Sequence, residues 1–186
     1  MALLNYSPRK DLKLAVKINV RFSEQNQGSD LPLNPLAKVI KENCRMGGSW
    51  QLNKKIKMSN RIEMTRYRKG SADATYGFMI FHDADYSPLS SKFAANIRLA
   101  FFNTATYENR IYAYEDDVLY GAGSGMYNGR GFRSFLNLNY RISGRLKAWA
   151  RYAVYYYPGA VKTGSALDEI SGNNKPEIKL QLRYQF

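Results

Sequence analysis

Hydrophobic and polar residues alternate at period two along much of the chain. In the stretch Lys175 to Phe186, Ile178, Leu180, Leu182, Tyr184 and Phe186 fall on one face; Glu177, Lys179, Gln181, Arg183 and Gln185 fall on the other. Residues 12–22 repeat the pattern, with Leu12, Leu14, Val16, Ile18, Val20 and Phe22 opposite Lys13, Ala15, Lys17, Asn19 and Arg21. Phe93, Ala95, Ile97, Leu99 and Phe101 alternate with Lys92, Asn96 and Arg98. Phe132, Leu136, Leu138, Tyr140 and Ile142 alternate with Arg133, Asn137, Asn139 and Arg141. Leu146, Ala148, Ala150, Tyr152 and Val154 stand against Lys147 and Arg151. Trp50, Leu52, Ile56 and Met58, then Ile62 and Met64, continue the pattern. Tyr76, Phe78 and Ile80 lead a strand of ambiguous facing, because Met79 and Phe81 are apolar too. These stretches predict an all-β, antiparallel, up-and-down arrangement in a single domain spanning 1–186.

The connections follow from turn chemistry. Residues 2–6 read as the tail of a strand and Ser7 to Lys10 as a turn. Residues 23–47 read as a long polar loop, with a short helix from Leu36 to Glu42. Ser59-Asn60 reads as a tight two-residue turn, because Lys57 to Ile62 parallels Arg141 to Leu146, and Asn and Gly tolerate the positive φ of such turns. Further loops are expected at 69–74, 83–91, 103–109, the glycine-rich 121–131 and 158–174. If the two tight turns lie on one side, the strands between them must be even in number. The stretches 61–68, 75–82, 92–102, 110–118 and 132–142 make an odd set. A hidden turn at Asp116-Asp117 with a further strand from Val118, or a merger around 83–91, restores parity. The total is about 8–12 strands.

Composition decides which barrel classes remain open. The 186 residues are 45% hydrophobic and 14% aromatic, with 15 Tyr, and mean hydropathy is −0.48. No apolar run reaches the roughly 18 residues of a helical membrane span, whereas a transmembrane strand needs only about 9–11, half of them polar. Alternation alone does not say which face is outside: a soluble ligand-binding β-barrel would turn the apolar face inward. Aromatics bunch at segment ends (Phe22, Trp50, Tyr67, Tyr152, Tyr155 to Tyr157), like the girdles of membrane barrels. Short turns alternate with long loops. The expected fold is therefore a transmembrane β-barrel, or part of one. The charge of +13 is spread along the chain, without a basic helix or compact cluster. That argues against nucleic acid as a partner and suits a basic lumen or contact with anionic lipid headgroups. Lys13, Lys17, Arg21, Lys55, Arg98, Arg133, Arg141, Lys179 and Arg183 share the polar face, where they could attract anions or pair with the few acids. Cys44 is the only cysteine and forms no internal disulfide. The N-terminus lacks the features of an export signal, so the chain is expected to be a fragment, a mature form, or the product of a gene missing its start.

A final strand ending on an aromatic residue, here Tyr184 and Phe186, resembles the carboxyl-terminal signal that the outer-membrane assembly machinery reads. Residues 107–186 resemble the end of a family of Bacteroidetes outer-membrane barrel proteins, some with an N-terminal helix-hairpin-helix region absent here. The residues carrying this are Arg110-Ile-Tyr-Ala-Tyr-Glu115 with Asp117-Val-Leu-Tyr120, the Gly129 to Arg133 segment, and Ser165-Ala-Leu-Asp-Glu-Ile170. Residues 50–106 match more loosely. The resemblance implies a bacterial outer-membrane barrel, longer than this chain, with lipid, the assembly machinery and upstream strands as partners, and no catalytic motif, cofactor or metal.

Two clusters have candidate chemistry. His82 with Asp83 or Asp85 is the one arrangement fit for a hydrolase, a carboxylate orienting the base. On a strand, however, His82 and Asp83 diverge. Glu115, Asp116 and Asp117 could bind a cation, but their spacing matches no calcium loop, and Arg110 stands near enough to neutralise them. A structural ion-pair role is expected instead. The Gly121 to Gly131 stretch lacks the Lys-Ser/Thr pair of a phosphate loop.

Overall fold

The computed structural model describes residues 1–27, 35–121, 123–164 and 166–186. The alternating stretches become β1 (Ala2–Arg9), β2 (Leu12–Asn26), β3 (Leu36–Gln51), β4 (Ile56–Lys69), β5 (Thr75–Tyr86) and β6 (Phe93–Thr104). There follow β7 (Ile111–Glu115), β8 (Gly123–Tyr127), β9 (Arg130–Arg141), β10 (Leu146–Tyr156), β11 (Lys162–Thr163), β12 (Ile170–Ser171) and β13 (Asn174–Tyr184). Nine strands form one antiparallel sheet in the order β1-β2-β3-β4-β5-β6-β9-β10-β13. β7 and β8 form a separate hairpin, as do the short β11 and β12. The last strand pairs with β10 from Leu146↔Tyr184 to Tyr156↔Asn174, the partner expected from the sequence. The sheet is not closed into a barrel: among the described residues, β1 and β13 each have a neighbour on one side only.

The structure replaces three of the expected connections and moves one expected strand. The 23–47 loop and its helix give way to β3, which pairs with β2 from Leu12↔Trp50 to Asn26↔Leu36. Leu36, Ala37, Val39 and Ile40 have helix-like spacing, but the ladder satisfies every second backbone group and sends Ala37 and Val39 to one face, where both are buried. Part of the expected loop, residues 28–34, lies outside the described residues. Ser59-Asn60 is no turn: Ser59 pairs with Ser49 on one side and Asp83 on the other, inside β4. The reversal comes earlier. Leu52 and Asn53 donate to Ile56 O, just as Ile142 and Ser143 donate to Leu146 O. Asn53 Oδ1 accepts from the Lys55 and Ile56 amides, and Ser143 Oγ from those of Arg145 and Leu146, so both turns are closed by a side chain at the same place.

The other two corrections concern residues 110–131. Residues 110–118 do not enter the sheet. They turn after Glu115, near the hidden bend expected at Asp116-Asp117, and the glycine-rich stretch returns as β8, Ile111↔Tyr127 to Glu115↔Gly123. With them removed, four sheet strands (β4, β5, β6 and β9) separate the two turns, an even number.

The β7–β8 hairpin packs against the polar face of the sheet. Met79, Phe81, Ala100 and Phe102 from the sheet meet Ile111, Ala113 and Tyr127 from the hairpin, with Tyr155 and Tyr157 alongside. Phe102 sits edge-on to Tyr127 at 5.5 Å and to Tyr157 at 5.8 Å. Close approach requires Gly77: a Cβ there would stand 2.5 Å from Thr65 Oγ1 and 2.8 Å from Asn109 O. The other face, with Ile18, Val20, Met64, Leu99, Leu136 and Leu180, is exposed.

Candidate functional site

The side chains with chemistry gather where the hairpin lies on the polar face. Cross-strand partners point to the same side, so the register alone aligns Arg98 with Phe135 and Asp83, and Arg151 with Asn137 and Lys179. The hairpin offers them its backbone. Arg61 donates to Tyr112 O at 3.0 Å and Arg98 to Tyr114 O at 2.6 Å; Arg151 and Asn137 both donate to Asp116 O. These are alternate carbonyls of one extended segment, which point the same way. Lys41 Nζ reaches Glu108 O at 2.6 Å, and Thr65 Oγ1 reaches Asn109 O at 3.0 Å.

Glu115 is the centre of the latch. Arg133 donates to it through Nε and Nη2 at 3.1 and 2.8 Å, Arg151 Nη2 at 2.5 Å and Tyr127 Oη at 2.9 Å, all of them buried. Burial alone would push the Glu115 carboxyl up. The hydrogen bonds and charge of Arg133, with Tyr127 and Arg151, outweigh burial and hold the pKa below the ordinary value. Asp117 likewise titrates low despite burial, chiefly through Lys179 Nζ at 2.7 Å and the Val118 amide. Asp116 is pushed up, first by burial and then by the charges of Asp85 and Asp83. Arg110, expected to neutralise this cluster, instead bonds Tyr107 O and Tyr112 Oη. Among the described residues, no group of three or more His, Cys, Asp or Glu side chains is placed to hold a metal ion.

These opposite shifts predict a pH profile. Glu115 and Asp117 have depressed folded-state values, so their stabilisation is complete above the ordinary carboxylate range and disappears as pH falls through it to their lower values. Asp116 acts in reverse: its proton uptake, at higher pH, removes a burial cost. Stability is therefore expected to rise slightly as Asp116 protonates and then to fall as Glu115 and Asp117 do. Urea unfolding at a series of pH values across the acid range checks this. A midpoint that stays flat into strongly acid solution would count against the latch.

The basic residues that alternation assigned to the polar face separate into distinct groups. Arg98 and Arg133 are buried in ion pairs with Asp83 and Glu115, and Lys179 bonds Asp117. Lys13, Lys17 and Arg21 lie along β2 on the same face, where Lys13 and Arg21 are exposed and Lys17 is half-buried. Arg141 and Arg183 flank Lys147 near the turn end. Lys55 is not on a strand face: it sits exposed in the turn before β4. Tyr184 and Phe186 are exposed and pack edge to face at 5.2 Å.

His82 does not meet Asp83 or Asp85. It lies on the apolar face, its Nδ1 2.5 Å from Asn60 Oδ1 and its ring 6.2 Å from Trp50. Asp83 is held on the opposite face by Arg98 at 2.6 and 2.7 Å, and Asp85 is bonded by Asn96 there. The base and its orienting carboxylate are thus on opposite faces of the sheet.

Lys41, Arg61, Glu63, Tyr127 and Arg151 were not singled out from sequence. Lys41 fell in the supposed loop and Arg61 after the supposed turn. The available signal was parity: Lys41, Arg61, Glu63 and Arg151 occupy polar-face positions once the register is correct, whereas Tyr127 lies on the separate hairpin. No known family model, curated protein or solved structure matches this chain.

Proposed function

We propose that this chain is a non-catalytic β-barrel protein of the bacterial outer membrane, or part of such a barrel, serving as an anchor or a solute passage. Its apolar face meets lipid, and its basic face lines an interior occupied in part by the β7–β8 hairpin. The observation that carries this reading is the inverted burial. Ile178, Leu180 and Leu182 are 70%, 79% and 71% exposed, while Arg98, Arg133 and Arg151 on the opposite face are each 3% exposed. A protein in water rarely leaves a contiguous apolar patch of more than a few hundred Å² uncovered. In lipid the same arrangement is favourable.

Strand length agrees. β2 to β6, β9, β10 and β13 have 11 to 16 residues, enough for the roughly 9–11 that a tilted membrane strand needs. The free edges of β1 and β13 would leave unpaired backbone groups in hydrocarbon at several kcal/mol each, so partner strands completing the barrel belong to this proposal. So do the assembly machinery, at Tyr184 and Phe186, and the family resemblance of residues 107–186. The two alternatives are less well supported. A hydrolase built on His82 needs a carboxylate on its own face, and a soluble ligand-binding barrel needs the apolar face inside.

Cysteine scanning tests the facing. In a Cys44→Ser background reconstituted into vesicles, Leu180→Cys should resist a hydrophilic maleimide while Gln181→Cys reacts. Rapid labelling of Leu180→Cys would defeat the membrane reading, since that position is open to any aqueous reagent if lipid does not cover it.

A further inference from the structure

The hairpin covers part of the polar face from β4 to β10, and beside it, from β1 to β5, the same face has a cleft of its own. It is ≈ 480 Å³ in volume and is lined by Asn5, Lys13, Ser49, Ser59, Arg61 and Asp83, among others. The register explains it. One row of cross-strand neighbours runs Lys13, Ser49, Ser59, Asp83; the next runs Asn5, Ala15, Gly47, Arg61, Phe81. Small residues (Ala15, Gly47, Ser49, Ser59) form the floor, and longer polar side chains stand around it.

The charges around this floor do not balance. Asp83 is already paired bidentately with Arg98. Glu63 is shared by Arg45 and Arg61. The Arg61 Nε is buried without a hydrogen-bond partner, although its Nη2 bonds Glu63 and the Tyr112 carbonyl. In the row beyond, Lys17 lies directly opposite Arg45, and the carboxylate there, Glu63, is already divided between Arg45 and Arg61. Lys13 has no acidic cross-strand neighbour: its partner on β3 is Ser49.

We infer that this cleft is a binding site for a small soluble anion carrying a phosphate or carboxylate group. Lys13 and Arg61 supply the charge, and Asn5, Ser49 and Ser59 supply neutral donors. Hydrogen bonds from ionised donors to such an oxyanion are about twice as strong as neutral ones. The cleft lies on the opposite face from the apolar surface, so the anion comes from the aqueous side, not from a lipid headgroup. The inference deepens the proposed basic interior and rests on it for the direction of access, though not for binding itself.

Calorimetric titration of the reconstituted full chain with inorganic phosphate tests it. Saturable one-site binding is expected, weakened about tenfold or more by Lys13→Gln and abolished by Ser49→Asp, which puts a negative charge on the floor. Both positions lie clear of the hairpin latch, whereas Arg61→Gln would also break the bond to Tyr112. Lys147→Gln, on the same face at β10, should leave binding unchanged. Absence of saturation, or equal weakening by Lys147→Gln, overturns the site. The maleimide pattern at Leu180→Cys and Gln181→Cys in the same preparation separates the two failures. If that pattern holds while phosphate does not bind, only the site is lost.

Discussion

Replacing Glu115 by Gln is expected to destabilise the folded protein by about 3–5 kcal/mol, the range for removing one partner of a buried ion pair. The size follows from what is left behind. Arg133 and Arg151 are each 3% exposed, and Glu115 accepts from both. Glu177, 3.6 and 3.8 Å from them, is half-exposed and already engaged by Lys179, so it is a poor substitute. Arg133 and Arg151 would keep some favourable contact with the Tyr155 and Phe135 rings, at 4.1 and 4.5 Å, but not a counter-charge. Two measurements check the result: urea unfolding, and trypsin cleavage at Arg110, which should accelerate as the hairpin leaves the sheet. A change below about 1 kcal/mol would place Glu115 among ordinary surface pairs and would mean that the hairpin is not held by this latch.

An arginine on the apolar face gives the second large effect. Ile97 and Leu136 are cross-strand partners near the middle of β6 and β9, both exposed. If lipid covers this face, Leu136→Arg should cost about 2–4 kcal/mol at mid-bilayer depth, while Tyr140→Arg, near the end of β9, should cost only about 0–1. The measurement is folding into vesicles at graded urea concentration. In a protein whose apolar face meets water, both substitutions are surface changes and stay within about 0.5 kcal/mol. Depth dependence is therefore the informative readout, and equal effects at the two positions would contradict a bilayer.

The sequence was legible where one strand's alternation was enough. The faces of β2, β9, β10 and β13 follow from period two, and so does the placing of Lys13, Arg98, Arg133 and Lys179 on one side. The parity of the turns carried real information: an odd strand count meant that one segment was misplaced. What local pattern lacked was the identity of that segment. Ile111, Ala113 and Glu115 alternate with Tyr112 and Tyr114 like any sheet strand. They leave the sheet because β6 pairs directly with β9, from Asn103↔Arg130 to Phe93↔Tyr140, and no room remains between them. β3 was missed for a related reason. Its glycines and the prolines before it read as loop, and only the ladder from β2, along the whole length of β3, makes an extended backbone the better solution there.

By itself the chain's order of residues determined an all-β antiparallel protein, the two faces of most strands and the partner of the last one, because side-chain direction in a strand repeats every two residues whatever surrounds it. Tertiary structure alone decided the rest. Among the described residues it left the sheet unclosed, folded 107–121 and 123–127 over the polar face and put the buried charges there. It also parted His82 from Asp83 and Asp85, and it brought Lys13 of β2, Ser49 of β3 and Arg61 of β4 around one cleft. Those outcomes depend on which strands pair and in what register. That choice is set by backbone hydrogen bonds and packing between segments far apart in the chain, which no local pattern encodes.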